Sequence, residues 1–190
     1  RMSDFLIEAS PAQTAQARSK SSSTARIALG FYALLVVYAS CYPFGGWRDT
    51  GLLPWSWVTE PMPRYWTVFD LVVNVIGYVP LGALLLLSLH PKLRGVRAML
   101  AAVLAGILLA AVLESLQSYL PSRVPSNLDL FTNASGTVLG VLAGELLRAP
   151  LLEMSWLRSL REHWFSDQAS RGLIIVGLWP LAQIYPQPYL

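Results

Sequence analysis

Long apolar blocks separated by short charged segments make up most of this chain. Stretches without Lys, Arg, Asp or Glu cover residues 27–47, 71–91, 98–113, 130–144 and 172–190. A helix needs about 20 apolar residues to cross the hydrocarbon core of a bilayer. The pattern therefore predicts an all-α, multi-pass transmembrane helical bundle, with a four-helix core over residues 26–148 and a fifth span at 172–190. We expect the first helix to run from about Ile27 to Tyr42.

The segments outside these helices carry different patterns. Residues 1–25 are rich in Ser, Ala and Gln without helical apolar periodicity, which predicts a disordered cytoplasmic tail. Residues 149–171 carry a large apolar side chain at every fourth position from Leu152 to Trp164, as in an amphipathic helix on the cytoplasmic membrane surface. An outer loop over 45–69 contains four tryptophans, which favours an aromatic belt at the lipid head groups over a ligand-stacking platform. They are Trp47, Trp55, Trp57 and Trp66.

Composition and charge support a membrane protein with a defined orientation. Of 190 residues, 54% are hydrophobic and 13% are charged, against about 25% charged in soluble domains. A cytoplasmic N terminus leaves 11 of the 14 basic residues inside and only Arg48, Arg64 and Arg123 outside, which is a strong positive-inside signal. The net charge of +3 is therefore interpreted as anchoring to anionic lipid, not as nucleic-acid binding.

One polar pattern occurs twice in these apolar surroundings. Asp-Leu-x-x-Asn-x-x-Gly fills residues 70–77 and 129–136, and its spacing puts Asp and Asn on one helix face. In the predicted topology both helices run inward, so each Asn lies roughly 6 Å deeper than its Asp. Carboxylates and amides are costly in a membrane, so a repeated pair indicates a site. Capping of its own helix is the alternative role for each Asp.

The third predicted helix brings further polar side chains to the same outer end. Glu114 falls late in this helix, where the helix dipole and the low dielectric disfavour an anion, so it needs Arg123, a proton, a cation or an amide as partner. Small residues at every fourth position on helices three and four predict close packing of these two helices. We therefore predict one outward-facing polar pocket. Its ligand-binding residues are Asp70, Asn74, Glu114, Gln117, Arg123, Asp129 and Asn133.

Several kinds of chemistry stay open for this pocket. Clustered carboxylates make it a candidate for holding a proton or a cation, and a structural salt-bridge network around Arg123 is the competing interpretation. Glu114 and Asp129 are the candidate catalytic residues, each as a general base. His90 and His163 fall on the cytoplasmic side, which disfavours a Ser-His-Asp hydrolase. Without zinc-type spacing or a nucleotide loop, we predict no metal and no cofactor.

The order of these polar residues resembles the VanZ-like membrane protein family. The resemblance covers about residues 27–148. It is carried by Asp70, Asn74, the run Gly77-Tyr78-Val79-Pro80-Leu81-Gly82, and then Glu114, Gln117, Arg123, Ser126, Asp129, Asn133 and Gly136. It implies a bacterial multi-pass protein of the cytoplasmic (inner) membrane, in a family named for an accessory determinant of teicoplanin resistance.

The sequence thus predicts a membrane protein whose outward-facing pocket binds a lipid or cell-envelope head group. In this interpretation Arg123 attracts phosphate or carboxylate, the amides orient oxygens, and the acidic groups meet hydroxyl or ammonium donors. Membrane lipids and a lipid-linked envelope precursor or glycopeptide are the expected partners, in envelope homeostasis or glycopeptide resistance. The alternatives are a membrane-embedded enzyme acting on an envelope lipid and a non-catalytic scaffold of a membrane complex.

Overall fold

The chain folds into α-helices connected by short loops and one long loop. The computed structural model describes residues 11–49, 51, 53–90 and 92–153, with side chains over 25–49, 51, 53–90 and 92–147. Within these ranges there is no strand, which confirms the predicted all-α fold. The helices are α1 (Pro11–Cys41), α2 (Val68–Leu89), α3 (Gly95–Gln117) and α4 (Asn127–Glu153).

Contacts divide the chain into two compact units, residues 1–148 and 149–190. The first unit holds α1 to α3 and nearly all of α4. Of the second unit, the structure describes only residues 149–153, which end α4. The rest of the predicted amphipathic segment at 149–171 and the predicted fifth span at 172–190 therefore lie outside the described residues.

Three helices of the described chain are long and apolar enough to cross a membrane: Val68–Leu89, Gly95–Gln117 and Asn127–Leu147. The apolar part of α1 is shorter, Ala25–Cys41. Because α1 begins at Pro11, residues 11–25 are helical. The predicted disordered tail is therefore wrong over these residues, and the predicted start of the first helix near Ile27 is too late. Hydropathy shows where a helix becomes apolar, whereas the Ala, Gln, Arg and Lys residues before that point are good helix formers that extend it.

Large apolar side chains cover the outside of the three long helices. Small or polar residues fill much of the interior instead, where Ala102, Ala110 and Thr137 are fully buried. The helix exteriors are suited to hydrocarbon because lipid tails are as apolar as these side chains. The exposed apolar residues include Phe69, Val73, Ile76, Leu100, Leu104, Leu108, Phe131, Leu139 and Leu142.

The glycines of α4 face α2. A Cβ added to Gly136 or Gly140 would collide with the carbonyl oxygen of Val75 or Val79 on α2, respectively. The predicted pairing of this glycine stripe with α3 is therefore wrong. A stripe of small residues shows that a helix can approach a neighbour closely, but its spacing does not identify which neighbour that is.

Thr137 occupies the point where α2, α3 and α4 meet. A Cβ on Gly82 of α2 would collide with the Thr137 backbone, and a Cβ on Gly106 of α3 would collide with its side chain. The Thr137 hydroxyl donates to the Asn133 carbonyl oxygen at 2.9 Å. Contacts between α3 and α4 thus do exist at Gly106, alongside the closer approach of α4 to α2.

The long α1–α2 loop is bound to the α3–α4 connection. The Arg48 N–H donates to the Tyr119 carbonyl at 3.0 Å, and the Ser118 hydroxyl donates to the Pro54 carbonyl at 3.2 Å. Asn127, the first residue of α4, donates from Nδ2 to the Glu60 carbonyl at 2.7 Å. The loop is therefore held against the end of the bundle at which α1 and α3 finish and α2 and α4 begin, here called the polar end.

One tryptophan of this loop does not fit a membrane-facing belt. Trp57 lies in a short 3₁₀ helix, Ser56–Val58, and is only 2% exposed. Its Nε1 donates to the Pro54 carbonyl at 2.8 Å. The predicted inclusion of Trp57 in the belt is therefore wrong, whereas Trp47, Trp55 and Trp66 are exposed.

Candidate functional site

The first turn of α4 is capped by the residue before it and by a side chain of α3. Ser126 precedes the helix, and its hydroxyl oxygen accepts the Asp129 N–H at 3.0 Å, as a Ser N-cap does. The Ser126 N–H donates to Glu114 Oε2 at 3.0 Å, so a carboxylate from α3 takes the role that a residue of the same helix fills in a capping box. Glu114 is only 3% exposed.

Because Glu114 accepts the Ser126 N–H, Asp129 turns its carboxylate to other donors. Its Oδ2 accepts the Ser126 hydroxyl at 3.1 Å, and its Oδ1 accepts Asn74 Nδ2 of α2 at 2.7 Å. Hydrogen bonds therefore connect Glu114, Ser126, Asp129 and Asn74, which we call the Glu114–Asp129 cluster. It joins α2, α3 and α4, and each donor to its two carboxylates is neutral.

The equivalent Asp of the other repeat copy has a local role. Asp70 Oδ2 accepts the N–H of Thr67 at 3.1 Å and its hydroxyl at 2.7 Å. The Thr67 hydroxyl oxygen accepts the Asp70 N–H at 3.1 Å in return, which completes a capping box. Asp70 is exposed, and the capping alternative accounts for it. The structure does not join it to the cluster by a hydrogen bond.

Gln117 and Arg123 contact the end of α1. Gln117 Nε2 donates to the Ser40 carbonyl at 3.0 Å. One amino nitrogen of Arg123 donates to the carbonyls of Ala39, at 3.0 Å, and Tyr42, at 3.3 Å. The last carbonyls of a helix have no partner within the helix, and these side chains provide the missing donors. Arg123 is exposed, so its other nitrogens remain accessible.

Asn133 lies one turn beyond Asp129 and is 6% exposed. Its Oδ1 is buried without a hydrogen-bond partner. The same is true of the hydroxyl of Tyr78, which is 5% exposed and one turn beyond Asn74 on α2. Buried polar groups are nearly always hydrogen-bonded, so this pair is an unusual feature of the site.

Sequence reasoning missed Tyr78 and Ser126 as members of the site. Tyr78 follows Asn74 by four residues, the spacing that puts two side chains on one helix face, and that signal was available. Ser126 precedes Asp129 by three residues, which is the spacing of a capping box. Its role in binding Glu114 depends on the backbone N–H, which a pattern of side chains does not show.

Charge at the site is predominantly negative. The carboxylates of Glu114 and Asp129 lie near enough for Coulombic interaction with each other and with Arg123. Asp70 also acts on Asp129, which adds a third negative group. Among the residues with described placement, no three His, Cys, Asp or Glu side chains are arranged to hold a metal ion.

A shallow apolar groove lies on a different part of α3. It is lined by α3 residues between Ala111 and Leu116, together with Pro54 and Tyr119. Neither Glu114 nor Asp129 belongs to its lining. The groove and the Glu114–Asp129 cluster are therefore separate features.

The sequence matches the profile of a known protein family. The VanZ/LLP1 family matches residues 5–148, a range that includes every residue of the site described above. No curated protein and no solved structure matches the chain.

Proposed function

Because this chain belongs to the VanZ/LLP1 family, we propose that it is a membrane protein whose Glu114–Asp129 cluster binds a lipid or cell-envelope head group. One observation carries the proposal: carboxylates from two helices meet in an apolar bundle, and all their hydrogen-bond donors are neutral. A structural salt-bridge network would place Arg123 on these carboxylates, yet Arg123 donates to α1 carbonyls. Ionisable groups at such positions are by default functional.

The groups of the site suit the two kinds of chemistry in a head group. Arg123 is exposed and near both carboxylates, so its remaining donors suit a phosphate or carboxylate of the ligand. Glu114 and Asp129 accept hydrogen bonds, and the unpartnered Oδ1 of Asn133 can accept one. These acceptors suit hydroxyl or ammonium groups. The proposed ligand therefore enters from the Arg123 side, with its hydrogen-bond donors toward the buried acceptors.

We place the protein in the bacterial cytoplasmic membrane, with a cytoplasmic N terminus and an outward-facing polar end. The positive-inside distribution supports this orientation, since Arg26, Lys92, Arg94 and Arg97 lie toward the opposite end of the helices. The same outer site would serve the role in envelope homeostasis or glycopeptide resistance that the family name suggests.

Cysteine labelling tests the orientation. Cys41 is the only cysteine and is buried, so we would replace it in Cys41→Ser and add Thr59→Cys at an exposed position of the α1–α2 loop. A membrane-impermeant thiol reagent is expected to label this variant in intact spheroplasts. Labelling only after permeabilisation would show that the polar end faces the cytoplasm and would overturn the outward-facing part of the proposal.

Lipid binding tests the site itself. The purified protein would be incubated with a total bacterial lipid extract, and bound lipids would be counted by native mass spectrometry. Glu114→Gln keeps an acceptor for Ser126, and Arg123→Gln keeps a donor for α1, while each removes the charge. We expect both to lose bound lipid, and the control Arg64→Gln, in the α1–α2 loop, to retain it.

The same experiment separates the alternatives. Unchanged lipid binding in both Glu114→Gln and Arg123→Gln would overturn the proposal and leave the scaffold alternative. The wild-type protein could instead convert a bound lipid to a product, and Glu114→Gln could lose this conversion. That result would favour the membrane-embedded enzyme over a binding protein. Binding that depends on both charges, without turnover, is the expected result.

A further inference from the structure

The unpartnered pair, Tyr78 and Asn133, lies beside the Glu114–Asp129 cluster on its buried side. Each residue follows a cluster member by four positions, Tyr78 after Asn74 on α2 and Asn133 after Asp129 on α4. The two helices touch at this level, because a Cβ on Gly136 would lie only 2.9 Å from the Tyr78 Cβ. Glu114 of α3 acts on the Tyr78 hydroxyl through its charge. Buried polar groups of α2, α3 and α4 therefore lie at a similar level of the bundle.

The groups present there need a hydrogen-bond donor. Asn133 Oδ1 can only accept, and it has no donor. Glu114 accepts one N–H, from Ser126, and a carboxylate has room for more than one. The Tyr78 hydroxyl has no partner either, and it can donate or accept. The missing partner is therefore a group rich in N–H or O–H.

Charge decides between a cationic and a neutral donor. Glu114 and Asp129 bring two carboxyl groups to this region, and Arg123 is the positive group that acts on both. A protonated amine offers several N–H donors and compensates the excess negative charge. A hydroxyl has a single donor and leaves the charge uncompensated.

We propose that Tyr78, Asn133 and Glu114 form a subsite for the ammonium group of a zwitterionic head group, such as a phosphoethanolamine. This inference rests on the proposed function and deepens it, because it names the class of head group. The ammonium donates to Asn133 Oδ1, to the Tyr78 hydroxyl oxygen and to the Glu114 carboxylate. The anionic part of the same head group lies toward Arg123, on the exposed side.

A set of three lipids with identical short acyl chains tests the subsite. Phosphatidylethanolamine carries an ammonium with N–H donors, phosphatidylcholine carries a cation without them, and phosphatidylglycerol carries hydroxyls. Their dissociation constants for the full-length protein in detergent would be measured by native mass spectrometry. We expect phosphatidylethanolamine to bind about tenfold more tightly than the other two, as for one hydrogen bond to a charged group.

Two variants remove the proposed contacts without removing the fold. Tyr78→Phe deletes a hydroxyl that has no protein partner. Asn133→Leu replaces the amide by an apolar side chain of similar size. Both are expected to reduce the preference for phosphatidylethanolamine to threefold or less while remaining folded. The matched control is Tyr32→Phe, whose hydroxyl donates to the Gly77 carbonyl at 2.9 Å. This control should keep the full preference.

The outcomes separate this inference from the proposed function. Equal binding of all three lipids, with loss in Glu114→Gln and Arg123→Gln, would overturn the ammonium subsite alone and assign the buried pair to water. Tighter binding of phosphatidylglycerol would also overturn it, in favour of a hydroxyl. If Glu114→Gln and Arg123→Gln left the binding of every lipid unchanged, both the ammonium subsite and the proposed function would be overturned.

Discussion

The close approach of α2 and α4 can be tested with the two glycines that end the repeated pattern. Gly77 and Gly136 occupy the same position in the two copies. A Cβ at Gly77 has no atom within 4 Å. A Cβ at Gly136 would collide with the Val75 carbonyl oxygen of α2. The substitutions Gly77→Ala and Gly136→Ala therefore make the same chemical change in opposite environments.

The structure gives the expected sizes of the two effects. The new Cβ in Gly136→Ala lies 2.9 Å from the Tyr78 Cβ and 3.0 Å from the Val75 carbonyl carbon, and ordinary contact begins at 3.4 Å. The helices must separate by more than about 0.5 Å, because the Val75 carbonyl oxygen lies closer to the new Cβ than either of these carbons. This separation strains the 2.7 Å bond from Asn74 to Asp129. Such overpacking costs about 1–3 kcal/mol, while Ala in place of a helical Gly gains about 0.5–1 kcal/mol. We expect Gly136→Ala to lose about 1–2 kcal/mol of unfolding free energy.

The assay is unfolding of the purified protein in mixed micelles with increasing SDS, followed by far-ultraviolet circular dichroism. Gly77→Ala should be more stable than the wild type by about 0.5–1 kcal/mol, and Gly136→Ala should be less stable. Equal stabilisation by both substitutions would show that α4 does not press against α2 at this level. The packing that positions Asp129 beside Asn74 would then be refuted.

Three further predictions concern the loop, the α2 cap and the cluster. In the same titration Trp57→Ala should lower the unfolding free energy by about 3–5 kcal/mol, because Trp57 is 2% exposed. Trp55 is 59% exposed, so Trp55→Ala should lower it by about 0.5 kcal/mol or less. Equal losses of stability would contradict a buried Trp57. Asp70→Ala should cost about 1 kcal/mol through loss of the cap and leave lipid binding unchanged, so a loss of binding would give Asp70 a role in the site. Glu114→Ala should speed hydrogen exchange of the Ser126 amide by about tenfold or more, and Glu114→Gln should not; unaltered exchange in Glu114→Ala would argue against their bond.

The sequence predicts the helices and part of the site because both depend on local composition. Apolar blocks locate α2, α3 and α4, since burial of a polar backbone in lipid requires a helix. The polar residues near the block boundaries predict that Glu114 and Asp129 lie at the same end. Both copies of the repeat predict an Asp and an Asn on one helix face, and in α4 both residues do lie on its interior side.

The features that were not predicted depend on tertiary contacts. Asp70 and Asp129 have the same local sequence pattern, yet only Asp129 is released from capping, because Glu114 of another helix accepts the Ser126 N–H. Gln117 and Arg123 bind backbone carbonyls of α1, and such acceptors leave no trace in a pattern of side chains. The polar residues that the sequence pattern groups together therefore include several that do not face one another.

The end of α1 depends on residues that the ribosome adds much later. The Ser40 carbonyl accepts a hydrogen bond from a residue 77 positions further along the chain, and the Ala39 carbonyl accepts one from a residue 84 positions further. While only α1 and α2 have been synthesised, both carbonyls lack these side-chain donors, and bare carbonyls are not tolerated in hydrocarbon. The donors arrive with α3 and the α3–α4 connection, so the end of α1 is completed only at a late stage of synthesis.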